Sequence, residues 1–261
     1  PGPDALWKAL SDTLAAHPDG LIQRLSVAPQ TNEAGRSAAI MTGLLTIAAE
    51  FPLPFELYEL GCSAGLNLNL ARFSYDLAGV LAGVPDSPVR IAPKWQGPPP
   101  PASRVEILST RGVDISPLNV QNADDRERLI AYVWPEQAER LARVRAAVVL
   151  ARAFPPNIDT GDAAAWTEQV LSLDPKPGVT RVLYHTIAYQ YFPADTQGRI
   201  RAHAARVGER ATAAAPFAWL RMEADPEYDQ KPSIRLTLWP TGEERVLGTA
   251  HPHGTGIQLF E

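Results

Sequence analysis

Apolar residues at helical spacing open the chain: Leu6, Leu10 and Leu14, then Ala38, Met41, Leu44, Leu45 and Ala48. They predict two helices over residues 1–52. Thr31 or Asn32 caps the second, Glu33 lies in its first turn, and Phe51-Pro52-Leu53-Pro54 ends it because proline cannot donate to the helical ladder. Phe55 to Leu60 then reads as a short strand running into Gly61-Cys62-Ser63-Ala64-Gly65, with Leu66, Leu68, Leu70 and Ala71 continuing as a helix. Strand, glycine turn and helix in that order form the first unit of a doubly wound sheet.

Residues 73–103 break the pattern. They are rich in Pro and Gly, with strand-like pieces around Val89 to Trp95, and predict an inserted β arm. A second core strand follows, from Val105 to Leu108 and on to Arg111-Gly112-Val113-Asp114, with a carboxylate at its end. Asn122 to Ala153 reads as two amphipathic helices broken near Trp134-Pro135, and Ala163 to Leu173 as another helix. Val179 to Tyr184 is a β-branched, apolar strand opening into His185-Thr186, and a helix from Asp195 to Ala214 precedes Phe217 to Glu223. Ile234 to Trp239 and Arg245 to Ala250 meet at Thr241-Gly242 as a hairpin, and Gly256 to Phe260 adds a last strand. The expectation is one α/β domain over residues 1–261: a Rossmann-like, doubly wound, mostly parallel sheet ending in an antiparallel hairpin, with a helical N-terminal cap and the inserted arm.

Composition narrows the function. With 261 residues, 45% of them hydrophobic and 20% charged, the chain can bury a core, and disorder throughout is excluded. A net charge of -5 with arginines dispersed among acids gives no basic stripe, so no nucleic-acid partner is expected. One cysteine, Cys62, allows no internal disulfide, and no apolar run is long enough to span a bilayer. These features predict a cytoplasmic protein with no membrane partner and a small-molecule substrate.

The turn from Gly61 to Gly65 concentrates the chemistry, because residues without bulky side chains let backbone N–H groups approach a ligand. Glu59, two residues before Gly61, repels a phosphate and attracts a sulfonium or an amino group. The wording Glu59-Leu60-Gly61-Cys62-Ser63-Ala64-Gly65 resembles the first motif of class I S-adenosylmethionine-dependent methyltransferases. Gly112-Val113-Asp114-Ile115 is similar to that superfamily's second motif and Gly161-Asp162-Ala163 to its third. The resemblance implies S-adenosylmethionine as cofactor, held by Glu59, Gly61, Cys62, Ser63, Gly65 and Asn67 at the turn. It further implies that Asp114 and Ile115 take the ribose, and that Asp162 and Ala163 take the adenine edge. Ser63 stands where a glycine is usual, and the span from Gly65 to Asp114 requires an insertion. The longer run through Leu66-Asn67-Leu68, with Asn32-Glu33 upstream and His251-Pro252-His253-Gly254 downstream, also resembles a bacterial family of unknown function.

Tyr184, His185 and Tyr189, beyond the fourth core strand, are the candidate catalytic residues, His185 as the base because its ordinary pKa lies near neutrality. Asn32, Glu33 and Arg36 are candidates for a lid or acceptor site. Two other classes stay open. Gly61-Cys62-Ser63-Ala64-Gly65 also satisfies the G-x-S-x-G elbow of a serine hydrolase, with Asp225 and His251 or His253 in the right chain order. A non-catalytic adenosyl-ligand binder would share the cofactor residues. His251 and His253 lack a third close ligand, so no metal is expected.

Overall fold

The structure is a computed structural model describing residues 2–25 and 30–261, with the backbone alone for 21 and 23–25. Residues up to Thr31 form one compact unit and Asn32–Glu261 another. The first unit holds α1 (Pro3–Ala16) and α2 (Pro18–Leu25). The second begins with a 3-10 turn, Ala34–Arg36, capped by the Glu33 carboxylate, which accepts the Gly35 N–H. It continues through α3 (Ser37–Glu50) and β1 (Phe55–Leu60) to a second 3-10 turn, Leu66–Arg72. Next come β2 (Ser74–Leu77), β3 (Val80–Gly83), β4 (Arg90–Ile91), β5 (Lys94–Gln96) and β6 (Ile107–Asp114). Then follow α4 (Ala123–Ala131), α5 (Ala138–Ala153), β7 (Ile158–Thr160), α6 (Ala163–Val170), β8 (Thr180–Thr186) and α7 (Ala194–Glu209). The last strands are β9 (Phe217–Ala224), β10 (Pro232–Trp239), β11 (Glu243–Ala250) and β12 (Gly256–Leu259).

Nine strands form the main sheet in the order β5-β12-β11-β10-β9-β8-β1-β6-β7. The five from β7 to β9 are parallel, and numbered along the chain they run 3-2-1-4-5. That is the doubly wound, Rossmann-like order, with its reversal between β1 and β8, where such sheets open a ligand crevice at their carboxyl ends. β10, β11 and β12 continue as an antiparallel meander made of the predicted hairpin and the predicted last strand. β2, β3 and β4 make a separate small sheet, while β5 leaves the arm and pairs in parallel with β12 at the far edge.

Burial explains the central elements. Every residue of β8 is buried, as a strand covered on both faces requires. α3 is buried on nearly all sides, matching a sequence that is apolar all round. On this face of the sheet α3 and α5 cover Phe55, Leu57, Val182, Tyr184 and Leu220; on the other α6 and α7 cover Leu60, Leu183, Phe217 and Trp219. Among the described residues, no helix is long and apolar enough to cross a membrane.

Candidate functional site

At the end of β1 the chain adopts positive φ at Gly61 (67°), Ser63 (54°) and Gly65 (69°). Gly61 is required twice over, because a Cβ there would also lie 2.6 Å from the Ala188 Cβ. Four of the five turn amides are spent on the protein. Gly61 and Cys62 donate to the Val113 carbonyl, Ser63 to Asp114 Oδ2 at 2.8 Å, Gly65 to the Cys62 carbonyl and Leu66 to Asn32 Oδ1 at 2.9 Å. The expected helix after the turn is only the 3-10 segment, with Leu66 to Leu70 wholly buried and Asn67 and Asn69 bonded outward to the Glu33 and Phe154 carbonyls. Asparagine side chains that bond distant backbone compete with helix formation. With most of its amides engaged, the turn does not suit a pyrophosphate, in keeping with the reading of Glu59.

The two later acids converge on this turn. A cleft of about 140 Å³ is lined by Gly61, Val113, Asp114, Ile115, Gly161, Asp162, Ala163, Tyr191, Phe192, Pro193 and Thr196. Asp114 ends β6, parallel to β1, and accepts the Ser116 N–H on Oδ1 and the Ser63 N–H on Oδ2. Asp162 caps α6 through the Ala165 N–H and accepts from Thr196 Oγ1 at 3.2 Å. Ile115, 80% exposed, is an apolar residue presented to solvent at the cleft.

Glu59 lies on the α3 face of the sheet beside Tyr184, its register partner on β8, whose hydroxyl donates to Glu59 Oε2 at 3.1 Å. Burial, with the Asp114 charge adding to it, pushes the Glu59 carboxyl up to about 8, against the opposing pull of Tyr184, Arg36 and Asn67. Arg36 is buried, donating from Nε to the Pro252 carbonyl and from Nη1 to the Thr186 carbonyl. Burial lowers its pKa, with Glu33 and Glu223 opposing. Asn32, Glu33 and Arg36 thus form a fixed wall against the turn, with Glu33 held by Arg140 at 2.7 Å and Arg143 at 3.3 Å. Among the described residues, Ser63 Oγ, Asn67 Oδ1, Arg143 Nη2, Glu223 Oε2 and His253 Nδ1 are buried polar atoms without a hydrogen-bond partner. Such atoms are rare away from sites that receive ligand or water.

The structure keeps His185 and Tyr189 together and sets Tyr184 apart from them. Tyr184 points to Glu59, whereas His185 packs among Tyr189 and Trp219 on the α6 and α7 side, stacked on the Tyr189 ring at 4.7 Å. His185 is fully buried, its Nδ1 lies 2.7 Å from Glu223 Oε1, and its Nε2 has no partner among the described residues. The same Glu223 oxygen accepts the Ala188 and Tyr189 N–H groups. Burial opposes ionisation of Glu223, yet His185 and those amides hold its pKa below the usual carboxylate value. Ile187, at φ 50°, carries the turn between them, a costly conformation for a β-branched residue. Sequence reasoning missed Glu223, Arg140 and Arg143; an acid at a strand's carboxyl end, as at Asp114, is the signal that marks Glu223.

The hydrolase arrangement is absent from this edge. Ser63 Oγ has no hydrogen-bond partner among the described residues, Asp225 is taken by Arg235 at 2.7 Å, and His251 accepts the His253 N–H at 3.2 Å. Burial and the nearby Arg140 charge lower the His253 pKa to about 4. Because Ser63 already holds a left-handed φ, Ser63→Gly is expected to keep or raise stability by up to about 1 kcal/mol, and to leave ligand binding intact. Thermal denaturation together with an ester-hydrolysis assay checks this; esterase activity lost in Ser63→Gly would restore the nucleophile reading.

Sheet order, reversal point and cleft together define a doubly wound α/β protein with a cleft at the carboxyl edge. The chain belongs to the family described as uncharacterized protein conserved in bacteria (DUF2332), which matches residues 1–258. No curated protein matches. Among solved structures, the chain is similar to one titled "DhpI-SAH complex structure", at 13% identity over 83% of this chain and 69% of that one, with a TM-score of 0.27. It is also similar to a "DhpI-SAM-HEP complex", at 12% identity over 80% and 68%, with a TM-score of 0.28.

Proposed function

We propose that the carboxyl-edge cleft binds S-adenosylmethionine and that the protein transfers its methyl group to a small-molecule acceptor. The observation supporting this most is the meeting of Gly61, Asp114, Ile115, Asp162 and Ala163 around one cleft, from three segments far apart in the chain. The donor set suits the ligand. Asp114 can accept ribose hydroxyls, Ile115 and Phe192 offer apolar surface to a purine, and Asp162 accepts from its amino group. Glu59 supplies a buried carboxylate for a cationic centre, while the turn withholds the amides that a pyrophosphate needs.

When bound, the cofactor supplies an already activated methyl group. The chain's task is then to align an acceptor and exclude water. Asn32 fixes the turn through Leu66, and Arg36 ties the end of β8 to the β11–β12 turn. We read the His185 and Glu223 pair as positioning the 187–189 turn against Gly61, with His185 as base only for an acceptor that reaches its Nε2.

S-adenosylhomocysteine should raise the melting temperature, since a ligand that binds only the folded state stabilises it by mass action. Asp162→Asn preserves the α6 cap, whereas Asp114→Asn keeps an oxygen for the Ser63 N–H but turns its amide nitrogen to the Ser116 N–H, so its melting curve is read beside its affinity. Each is expected to weaken binding by about 1–3 kcal/mol, read by titration calorimetry. No thermal shift at millimolar ligand, or unchanged affinity in both variants, would remove the cofactor from this cleft.

A further inference from the structure

A second pocket, of about 320 Å³, opens where the inserted arm's β5 meets β12 and the β11–β12 turn. Its size falls within the range of small-molecule sites. β5 and β12 begin here, β11 ends here and β10 starts here, which places the pocket on the same sheet edge as the cleft at Gly61. Its charge is opposite. Asp114 and Asp162 line the first cleft, whereas Lys94, Lys231 and His251 line this one and no Asp or Glu does.

The lysines make the pocket unusual for this chain, which has only Lys8, Lys94, Lys176 and Lys231 among 24 basic residues. Lys8 and Lys176 are engaged with Asp12 and Glu56. Lys94 and Lys231 have no carboxylate partner among the described residues, and they reach one pocket from the arm and from the β9–β10 connection. Their backbones are fixed, Lys94 N donating to the Thr255 carbonyl and Lys231 N to that of Tyr228. Both ammonium groups therefore border one pocket with no carboxylate to neutralise them, which favours an anion there. Trp95, whose indole N–H is bound to the Pro98 carbonyl, supplies apolar surface at the same place.

We infer that this pocket binds a compact oxyanion, a carboxylate or a phosphate, carried by a small molecule. On the methyltransferase reading, that molecule is the methyl acceptor. The link is Arg36: Pro252, a wall of this pocket, and Thr186, at the end of β8, place their carbonyls on the same guanidinium. Arg36 thus fixes the wall of this pocket against the end of β8, on the edge where the Gly61 cleft opens. The arm thereby gains a purpose, delivering Lys94 and Trp95 to the working edge of a sheet it does not otherwise join.

Titration calorimetry with inorganic phosphate and, separately, acetate, into wild type, Lys94→Gln, Lys231→Gln and the double variant, tests the site. Both lysines are exposed, so the variants should melt as wild type does. Saturable binding of at least one anion is expected, weakened about tenfold in the double variant as charge-assisted hydrogen bonds are lost, with S-adenosylhomocysteine affinity unchanged. Preference between phosphate and acetate identifies the anionic group. Saturable binding of neither anion, or equal binding by the double variant, overturns the proposal. Cofactor binding is read separately: a protein that binds phosphate through these lysines but not S-adenosylhomocysteine supports the pocket and overturns the methyltransferase reading instead.

Discussion

Glu59→Gln is expected to change stability and binding in opposite directions. The wild-type carboxyl, ordinarily near 4.5, is raised to about 8 in the fold, first by burial and then by Asp114. A raised folded-state pKa means that the stability contributed by the protonated group is complete below the unfolded value. It is lost as pH climbs from about 4.5 to about 8. At about 1.4 kcal/mol per pKa unit, the ionised carboxylate costs the ligand-free fold several kcal/mol at pH 9. Glutamine cannot ionise, so the variant should melt well above wild type at pH 9 and close to it at pH 5. S-adenosylmethionine binding should fall by about tenfold or more, because the variant has no negative charge to meet the ligand's cation. In wild type, affinity should rise with pH up to about 8 and binding at pH 7 should release protons, visible as a buffer-dependent enthalpy. Parallel melting curves across pH, or equal affinities, would show that Glu59 does not serve the cation.

Glu33→Ala is expected to be the most destabilising substitution at the site. Glu33 is completely buried and holds two guanidiniums of low exposure, Arg140 (7%) and Arg143 (16%), together with the Gly35 N–H. Removing it leaves two cations out of water with nothing opposite, a change that costs about 3–5 kcal/mol. For a domain of this size each kcal/mol lowers the melting temperature by about 2–4 °C, so a drop of about 10 °C is expected in calorimetry. Glu33→Gln, which keeps hydrogen-bonding capacity without the charge, should fall between. A loss under about 3 °C would mean that water reaches the two arginines and screens them.

The sequence disclosed what local pattern encodes. β1 and its glycine turn were legible because a strand-like run ends abruptly in residues that tolerate positive φ, and β8 because its centre, Val182-Leu183-Tyr184, is apolar on both faces. The break between α4 and α5 followed from Pro135. Asp114 was legible as a carboxylate at a strand's end and Asp162 through its resemblance to the third motif, and they do share a cleft with Gly61. What stayed hidden depends on partners distant in the chain. Leu66 to Leu70 has helical hydrophobicity, yet tertiary bonds from Asn67 and Asn69 tighten it to 3-10. Glu33 and Arg36 read as candidates for a lid or acceptor site, whereas Glu33 engages arginines more than a hundred residues later. Tyr184 and His185 are adjacent in sequence and serve opposite faces, the inevitable result of strand alternation.

The pairing of β5 with β12 also sets an order of assembly. Lys94, Trp95 and Gln96 are made early, yet their hydrogen-bonding partners begin at Gly256, near the end of the chain as given. During synthesis the doubly wound strands can register with one another as they appear, while the arm's edge strand has nothing to pair with. The far side of the sheet therefore closes last, after a long loop has been drawn in, and the basic pocket exists only from that moment.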